Sequence, residues 1–525
     1  MAVTAHGIRT KATKITKISL WSLCLRDLCE KAVVRGFVAS LLIATSCTHA
    51  PPTVTPKPNP RAERALTSDL NRIFGAPVME QGLWGVKVTS LETGRVLYAL
   101  NARKLMMPAS NMKIVTLAAA AEILGWDFRF KTTLETAADL DNGVLRGDLI
   151  VRGGGDPTIN ARDKRAAAVF DEWAAALKSA GISRIEGNIV GDSSAFERRG
   201  LGQGWSWDYL EAGYAAPSGA LEFNENIATL SIRPGPKPGD EAGLELTPGA
   251  GLGLIHHVVT GEASSVTAID LERRPDGAWL DVVGSIALDA QPASREVAVA
   301  DPELYFAHAL VLALVERGIP VRGIPKGMPD WRNQLAPLPR HVLVESLSPP
   351  LRDIATVMMK VSQNLYAETL LKALGAAGGA TGTTDAGRAA AQKIFEAWGI
   401  PAGSYVQADG SGLSRYDFVT AEMIVTLLER MHRDPRHRDA FVATLPIAGK
   451  DGTISTRMRN TRAEANAVAK TGSIANVRAL SGYVRTRDGE TVVFSILANS
   501  FTIPAATVNW IADLAVETIA NYSRR

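Results

Sequence analysis

Cysteine is almost absent from this chain of 525 residues: there are three, Cys24, Cys29 and Cys47, and none beyond them. A disulfide framework in any folded body downstream is therefore excluded. Long apolar runs are also missing. The run near the N-terminus, Gly36 to Ser46 (GFVASLLIATS), has eleven residues, whereas a membrane-spanning helix takes about 20. Nor is there an excess of one charge, with 57 basic side chains against 54 acidic. Residues 1–46 hold seven of the basic and two of the acidic ones, which leaves 50 against 52 for the rest. A body so close to neutral has no electrostatic footprint for nucleic acid. His-Glu-x-x-His, Gly-x-Ser-x-Gly and the Gly-x-x-x-x-Gly-Lys-Ser/Thr phosphate loop are absent too. His256 and His257, being adjacent, would point to opposite faces of a strand and make a poor metal pair. No metal and no organic cofactor is expected.

What is present starts with a leader. A basic segment followed by the eleven-residue apolar run has the form of a signal peptide, residues 1–46. Cys47 directly follows Ala44-Thr45-Ser46, which resembles a bacterial lipoprotein cleavage box except that leucine is usual where Ala44 stands. The proline-rich stretch after it reads as an extended tether over residues 47–64. This points to a periplasmic or cell-envelope protein, held on a membrane only through a lipid on Cys47; an ordinary secreted protein is the other reading.

With 46% apolar and 21% charged residues, the remainder can bury a large core, and the length suits two to four domains. After a short helix, Trp84–Ser90 and Arg95–Leu100 read as a hairpin around Leu91-Glu92-Thr93-Gly94. Pro108-Ala109-Ser110 then opens an alanine-rich helix reaching Leu124. Between about 136 and 335, short strands (149–152, 184–190, 227–232, 258–269, 278–283) alternate with Gly/Pro turns, which reads as β-rich insertion. Helical periodicity returns at 351–360, 365–374 and 388–398. The chain ends with strands over 465–472, 478–485 and 491–498 and a helix from Ala505. Antiparallel sheet with flanking helices gives an α+β class.

Three short motifs carry chemistry, and each occurs once. Ser110-Asn111-Met112-Lys113 is the only Ser-x-x-Lys. On a helix, residues three apart share a face, so a neutral lysine there can take the serine proton. Burial and the positive end of the helix dipole would lower its pKa. Ser362-Gln363-Asn364 is the only Ser-x-Asn and lies between two helical runs, where a loop can aim both side chains into a cleft. Lys470-Thr471-Gly472 lies on a strand, where the glycine lets a substrate backbone approach. Alone, each is more often ordinary: a solvated helix face, a helix cap, a strand ending in a turn.

In this order, however, the three form the signature of the serine penicillin-binding proteins and class A β-lactamases. With PASNMK (108–113), GGGDPT (153–158), GDSSAF (191–196), GWSWD (204–208), SQNLYAE (362–368), DGSGLSR (409–415), LPIAGKDGT (445–453) and KTGS (470–473), the chain resembles the class C low-molecular-weight penicillin-binding proteins. These form the D-alanyl-D-alanine carboxypeptidase/endopeptidase family, and the resemblance runs from about residue 65 to the C-terminus. It implies a serine β-lactamase/penicillin-binding-type catalytic domain over 65–135 and 336–525, with β-rich domains inserted over 136–335. It implies acyl transfer on peptidoglycan stem peptides ending in D-Ala-D-Ala, with β-lactam antibiotics as covalent inhibitors. Ser110 would be the nucleophile and Lys113 its base. Ser362 would pass a proton to the leaving amine, with Lys470 orienting it, and Asn364 would hold the substrate amide. Thr471, Gly472 and Ser473 would bind the substrate, Thr471 helping Lys470 with the terminal carboxylate and Ser473 giving a backbone N–H to the oxyanion hole. Asp208 falls near the stem-peptide side chain, where a carboxylate could meet an amine, and a plain surface aspartate fits it equally well.

Two other classes compete. A serine β-lactamase would share the nucleophile, but a class C enzyme would carry Tyr-x-Asn where Ser-x-Asn stands, and the chain has no Tyr-x-Asn. A class A enzyme needs a deacylating glutamate, and the large insert offers no identifiable one. A non-catalytic wall-binding protein on the same fold has no physical need for Ser110, Lys113, Ser362, Asn364 and Lys470 together.

Overall fold

The structure is a computed structural model that describes residues 59–524 apart from 250–251, 275–276, 278 and 329–338. The signal peptide, Cys47 and most of the tether lie outside the described residues.

Helix α1 (Pro60–Phe74) takes up the last residues of the stretch read as tether. Asn59 caps it by accepting from the Ala62 N–H, and Pro60 occupies its first turn. Strands β1 (Leu83–Ser90) and β2 (Val96–Leu100) follow as the expected hairpin. Helix α2 (Met112–Ile123) is buried on every side from Met112 to Ala121. A helix that is apolar all round belongs at a domain centre, and this one carries the lysine of the first motif.

After α2 the chain forms β3 (Lys131–Thr136), β4 (Leu149–Arg152), α3 (Arg165–Ser179) and β5 (Ile189–Asp192), the last three within the 136–335 expected for the insert. Next come β6 (Ile227–Arg233), β7 (Gly243–Thr247), β8 (Gly253–Gly261), β9 (Ala268–Arg273), β10 (Trp279–Ala287) and β11 (Ala293–Ala298). Last are α4 (Pro302–Glu316), β12 (Pro325–Gly327) and β13 (His341–Leu347). One sheet has the order β12-β5-β4-β3-β13 and packs on α3 and α4 through Trp173, Phe170 and Phe306. Two three-stranded sheets, β7-β6-β11 and β8-β10-β9, share a second core around Leu230, Val282 and Tyr305.

The insert is thus richer in helix than the turn pattern suggested. Helix α3 buries Val169, Phe170, Trp173 and Leu177 at helical spacing, and α4 is opened by the Asp301 cap and Pro302. Two stretches read as single strands each divide. Residues 186–188 separate a short pairing at Arg184–Ile185 from β5, and a turn from Glu262 to Thr267 separates β8 from β9.

After β13 come α5 (Leu351–Lys360), α6 (Asn364–Ala376), α7 (Thr384–Ala397), α8 (Ala421–Arg433) and α9 (Arg438–Thr444). Strands β14 (Val468–Ile474), β15 (Val477–Arg485) and β16 (Thr491–Asn499) then lead to α10 (Ala505–Asn521). The main sheet is antiparallel with order β14-β15-β16-β1-β2. Its middle strands are buried on both faces. One face packs on a core holding residues of α2, α5, α6 and α8, the other on α1 and α10. Strand β14 is left at the edge, where its outer side is available to a cleft.

Candidate active site

Ser110 sits in the 3-10 turn Ala109–Asn111 that leads into α2, so its hydroxyl projects at the start of a buried helix. The turn is tight. Ala109 has φ +46°, and the neighbouring Gly412 has φ +84° with space for no Cβ, which would lie 1.8 Å from the Ala109 carbonyl oxygen. One helical turn on, Lys113 is fully buried, and its Nζ lies 3.0 Å from Ser110 Oγ.

Lys113 Nζ has two further neighbours, Asn364 Oδ1 at 2.6 Å and the Ser411 carbonyl oxygen at 2.8 Å. Both are acceptors only, so both must receive its N–H groups. The Ser110 contact alone can run in either direction. Burial lowers the Lys113 pKa to about 7, against a partial upward pull from Asp409, Glu368 and Asp417. As the neutral amine, Lys113 satisfies Asn364 and Ser411 with two N–H groups and has one lone pair for the Ser110 proton.

The break between α5 and α6 supplies the second motif. Ser362 has φ +65°, a left-handed conformation unusual for serine and of a kind that gathers at functional sites. Gln363 caps α6 by accepting from the Leu365 N–H, and Asn364 is the first residue of that helix. Asn364 donates through Nδ2 to the Tyr214 carbonyl at 2.8 Å. The third motif lies on β14. Lys470 is fully buried, and its Nζ lies 2.8 Å from Ser362 Oγ and 2.8 Å from the Thr471 carbonyl oxygen. Burial, then the charge on Lys113, hold the Lys470 ammonium well below the usual lysine range. Asn111 donates to the Lys470 carbonyl at 3.0 Å and so ties the serine turn to the strand.

Ser110, Ser362, Asn364, Thr471, Gly472 and Ser473 all line one cleft of about 450 Å³. Thr471 Oγ1 is 2.7 Å from the Thr453 hydroxyl. Asp208 is exposed and does not line the cleft, although its neighbour Tyr209 does. Glu122, Asp434 and His437 form a group that could hold a metal ion, but Arg436 pairs with both acids there and Trp126 donates to His437.

Several lining residues carry no expectation from sequence: Tyr209, Tyr214, Gly412, Leu413, Arg457 and Asn509. Tyr209 and Tyr214 come from the insert. Behind Lys113 lie the buried acids Glu368, Asp409 and Asp417, which wrap the 408–417 loop. Asp409 accepts the backbone N–H groups of Ser411, Gly412 and Ser414, and Trp205 donates to it at 2.8 Å. Glu368 accepts from the N–H groups of Gly410 and Ser411, and Asp417 from that of Ala408. Burial raises the Glu368 pKa to about 7 and that of Asp417 well above the carboxylate range. The DGSGLSR stretch was the available signal, since it holds Asp409, Ser411 and Gly412, but its purpose is visible only where the loop carbonyl meets Lys113.

Known proteins are similar to this chain over most of its length. A D-alanyl-D-alanine carboxypeptidase of an Actinomadura species is 33% identical over 476 residues, covering 87% of this chain and 85% of that protein. The D-alanyl-D-alanine carboxypeptidase DacB of Haemophilus influenzae is 28% identical, covering 80% and 85%. The crystal structure of penicillin binding protein 4 (dacB) from Haemophilus influenzae superposes with a TM-score of 0.76 at 27% identity, covering 87% of this chain and 99% of that one. The same protein complexed with a β-lactam gives a TM-score of 0.70 at 26% identity, covering 85% and 97%. The α+β class and the penicillin-binding fold expected from sequence hold. Residues 66–519 match the D-Ala-D-Ala carboxypeptidase 3 (S13) family, and the chain belongs to that family.

Proposed function

We propose that this chain, a serine-type D-Ala-D-Ala carboxypeptidase, cleaves peptidoglycan stem peptides through an acyl-enzyme on Ser110. The observation that carries the reading is the Lys113 environment. A buried amine with a pKa near 7 has its other two contacts on obligate acceptors, which leaves its lone pair directed to Ser110 Oγ at 3.0 Å.

In this reading Lys113 takes the hydroxyl proton as Ser110 Oγ bonds to the penultimate D-Ala carbonyl carbon. The oxyanion is met by the backbone N–H groups of Ser110 and Ser473; a donor of this kind contributes about 2.7–4 kcal/mol. The tetrahedral intermediate collapses by breaking the C–N bond. Ser362 passes a proton to the departing D-Ala nitrogen, with Lys470 orienting that hydroxyl at 2.8 Å. Lys470 and Thr471 hold the terminal carboxylate, Gly472 lets the substrate backbone lie against β14, and Asn364 holds the substrate amide through its remaining N–H. Water then attacks the ester and frees Ser110. β-Lactams acylate the same hydroxyl. Asp208, exposed and outside the cleft lining, stays open between a contact to the amine of the stem-peptide side chain and a plain surface carboxylate.

The decisive experiment is peptide mapping after incubation with benzylpenicillin and, separately, product analysis with a D-Ala-D-Ala peptide. A lasting adduct on Ser110 and release of free D-Ala are expected. Rapid penicillin turnover would instead make the protein a β-lactamase, and no adduct would make it a non-catalytic wall binder. The substrate places the enzyme in the cell envelope, and we infer a lipid on Cys47 as its anchor. Among the described residues no helix is long and apolar enough to cross a membrane. Cys47→Ser should move the protein from the membrane fraction to the soluble one; a wild-type N-terminus downstream of Cys47 would refute the anchor.

A further inference from the structure

Residues 199–218 of the insert form a loop that carries both tyrosines lining the cleft, Tyr209 and Tyr214. The two ends of this loop are drawn together. The Ser218 N–H donates to the Gly200 carbonyl at 2.9 Å. Lys372, buried on α6, donates through one Nζ to the carbonyls of Arg199 at 2.6 Å and Ser218 at 3.1 Å. Beside it, Thr369 donates to Glu222 at 2.6 Å, and Glu222 also accepts the Gly219 N–H. Helix α6 is the element whose first residue is Asn364. The rod that presents Asn364 therefore also grips the loop, and the loop returns the contact through the Tyr214 carbonyl, 2.8 Å from Asn364 Nδ2.

That contact decides which way the Asn364 amide faces. With Nδ2 on the Tyr214 carbonyl, Oδ1 faces Lys113 and takes one of its N–H groups. Were the amide turned over, its N–H would point at Lys113 and compete with Ser110 for the single lone pair. Oδ1 would then face the Tyr214 carbonyl, two acceptors with no proton between them. We propose that Lys372 is a positioning residue for acylation: it clamps the 199–218 loop so that the Tyr214 carbonyl holds the Asn364 amide in the orientation that leaves the Lys113 lone pair to Ser110. The inference rests on the reading of Ser110 as nucleophile and Lys113 as base.

Lys372→Met keeps the length of the side chain and removes its donors. The rate of acylation of the full chain by benzylpenicillin, followed by intact mass, is measured with this substitution alone and in an Asn364→Ala background. Where Asn364 is present, about tenfold slowing is expected, the scale of one lost hydrogen bond. In the Asn364→Ala background no further slowing is expected, because there is no amide left to orient. Equal slowing in both backgrounds marks a merely structural lysine and overturns the proposal, as does no slowing in either. If Lys372→Met does not fold, Thr369→Val, which loosens the Ser218–Glu222 end of the same loop, goes through the same cycle and is judged by the same outcomes. Failure of the underlying reading is distinct: the wild-type protein would then not be acylated on Ser110 at all.

Discussion

The two lysines of the cleft differ in what surrounds them. Lys113 lies at the start of an apolar helix, and burial drives its ammonium down, but Asp409, Glu368 and Asp417 pull back and leave it near 7. Lys470 on the edge strand is as deeply buried, and the one charge that acts on it is the like charge of Lys113, so its ammonium is held well below the usual lysine range. Burial disfavours the ammonium form of either lysine. Lys113 alone has acids behind it that oppose the effect of burial, and the balance leaves it near 7, the range that a general base working near neutrality needs. No acid acts on Lys470 in this way, and in the proposed reading the substrate carboxylate would bring it a negative charge.

The largest expected effect breaks the first side of this comparison. Lys113→Ala should slow acylation by benzylpenicillin at least about a thousandfold, since it removes the base. Circular dichroism and gel filtration should show an intact fold. A folded variant acylated at the wild-type rate would remove Lys113 from the chemistry. The second side is sharpened by Lys470→Met. For a peptide ending in a free carboxylate, kcat/KM should fall about a hundredfold, the scale of a lost hydrogen bond to a charged group. For the same peptide with an amidated C-terminus it should fall much less. Equal losses on both peptides would mean that Lys470 acts on Ser362 alone and does not read the carboxylate.

The three motifs were legible because each is a local spacing on a local element. Ser110 and Lys113 are one turn apart on a helix, and their hydroxyl and amine do meet. Lys470-Thr471-Gly472 falls on a strand as expected, and Ser362 and Asn364 flank a helix start. What tunes the site was not legible. The Ser411 and Tyr214 carbonyls are backbone groups, which every residue has, so no residue type announces them. Glu368 and Asp409 lie 41 positions apart and meet only because the 408–417 loop folds over α6. In the insert, α3 and α4 had readable signals in their apolar spacing and in Asp301-Pro302. Frequent glycine and proline turns around them favoured strands, and it is the shared core of Trp173 and Phe306 that settles these segments as helices.

The smallest expected effect tests whether the acids set the Lys113 titration. With a Lys113 pKa near 7 in the folded protein, the acylation rate should rise as pH passes upward through about 7 and level off above it, because the reactive form is the free amine. Glu368 favours the ammonium, so replacing its carboxylate by an amide in Glu368→Gln should lower the Lys113 pKa and carry the rising limb toward lower pH. Glu368 itself titrates near 7, so it is partly protonated over the same range and the displacement is limited. At pH 6 the variant should react faster than wild type, by less than about tenfold, the factor that one full pKa unit would give. On the plateau the two should agree, provided the glutamine still accepts from the Gly410 and Ser411 N–H groups that hold the loop. A limb that stays in place would mean that burial alone sets the base, whereas a limb displaced upward would mean that the loop has opened and water reaches Lys113, relieving the burial that lowers its pKa.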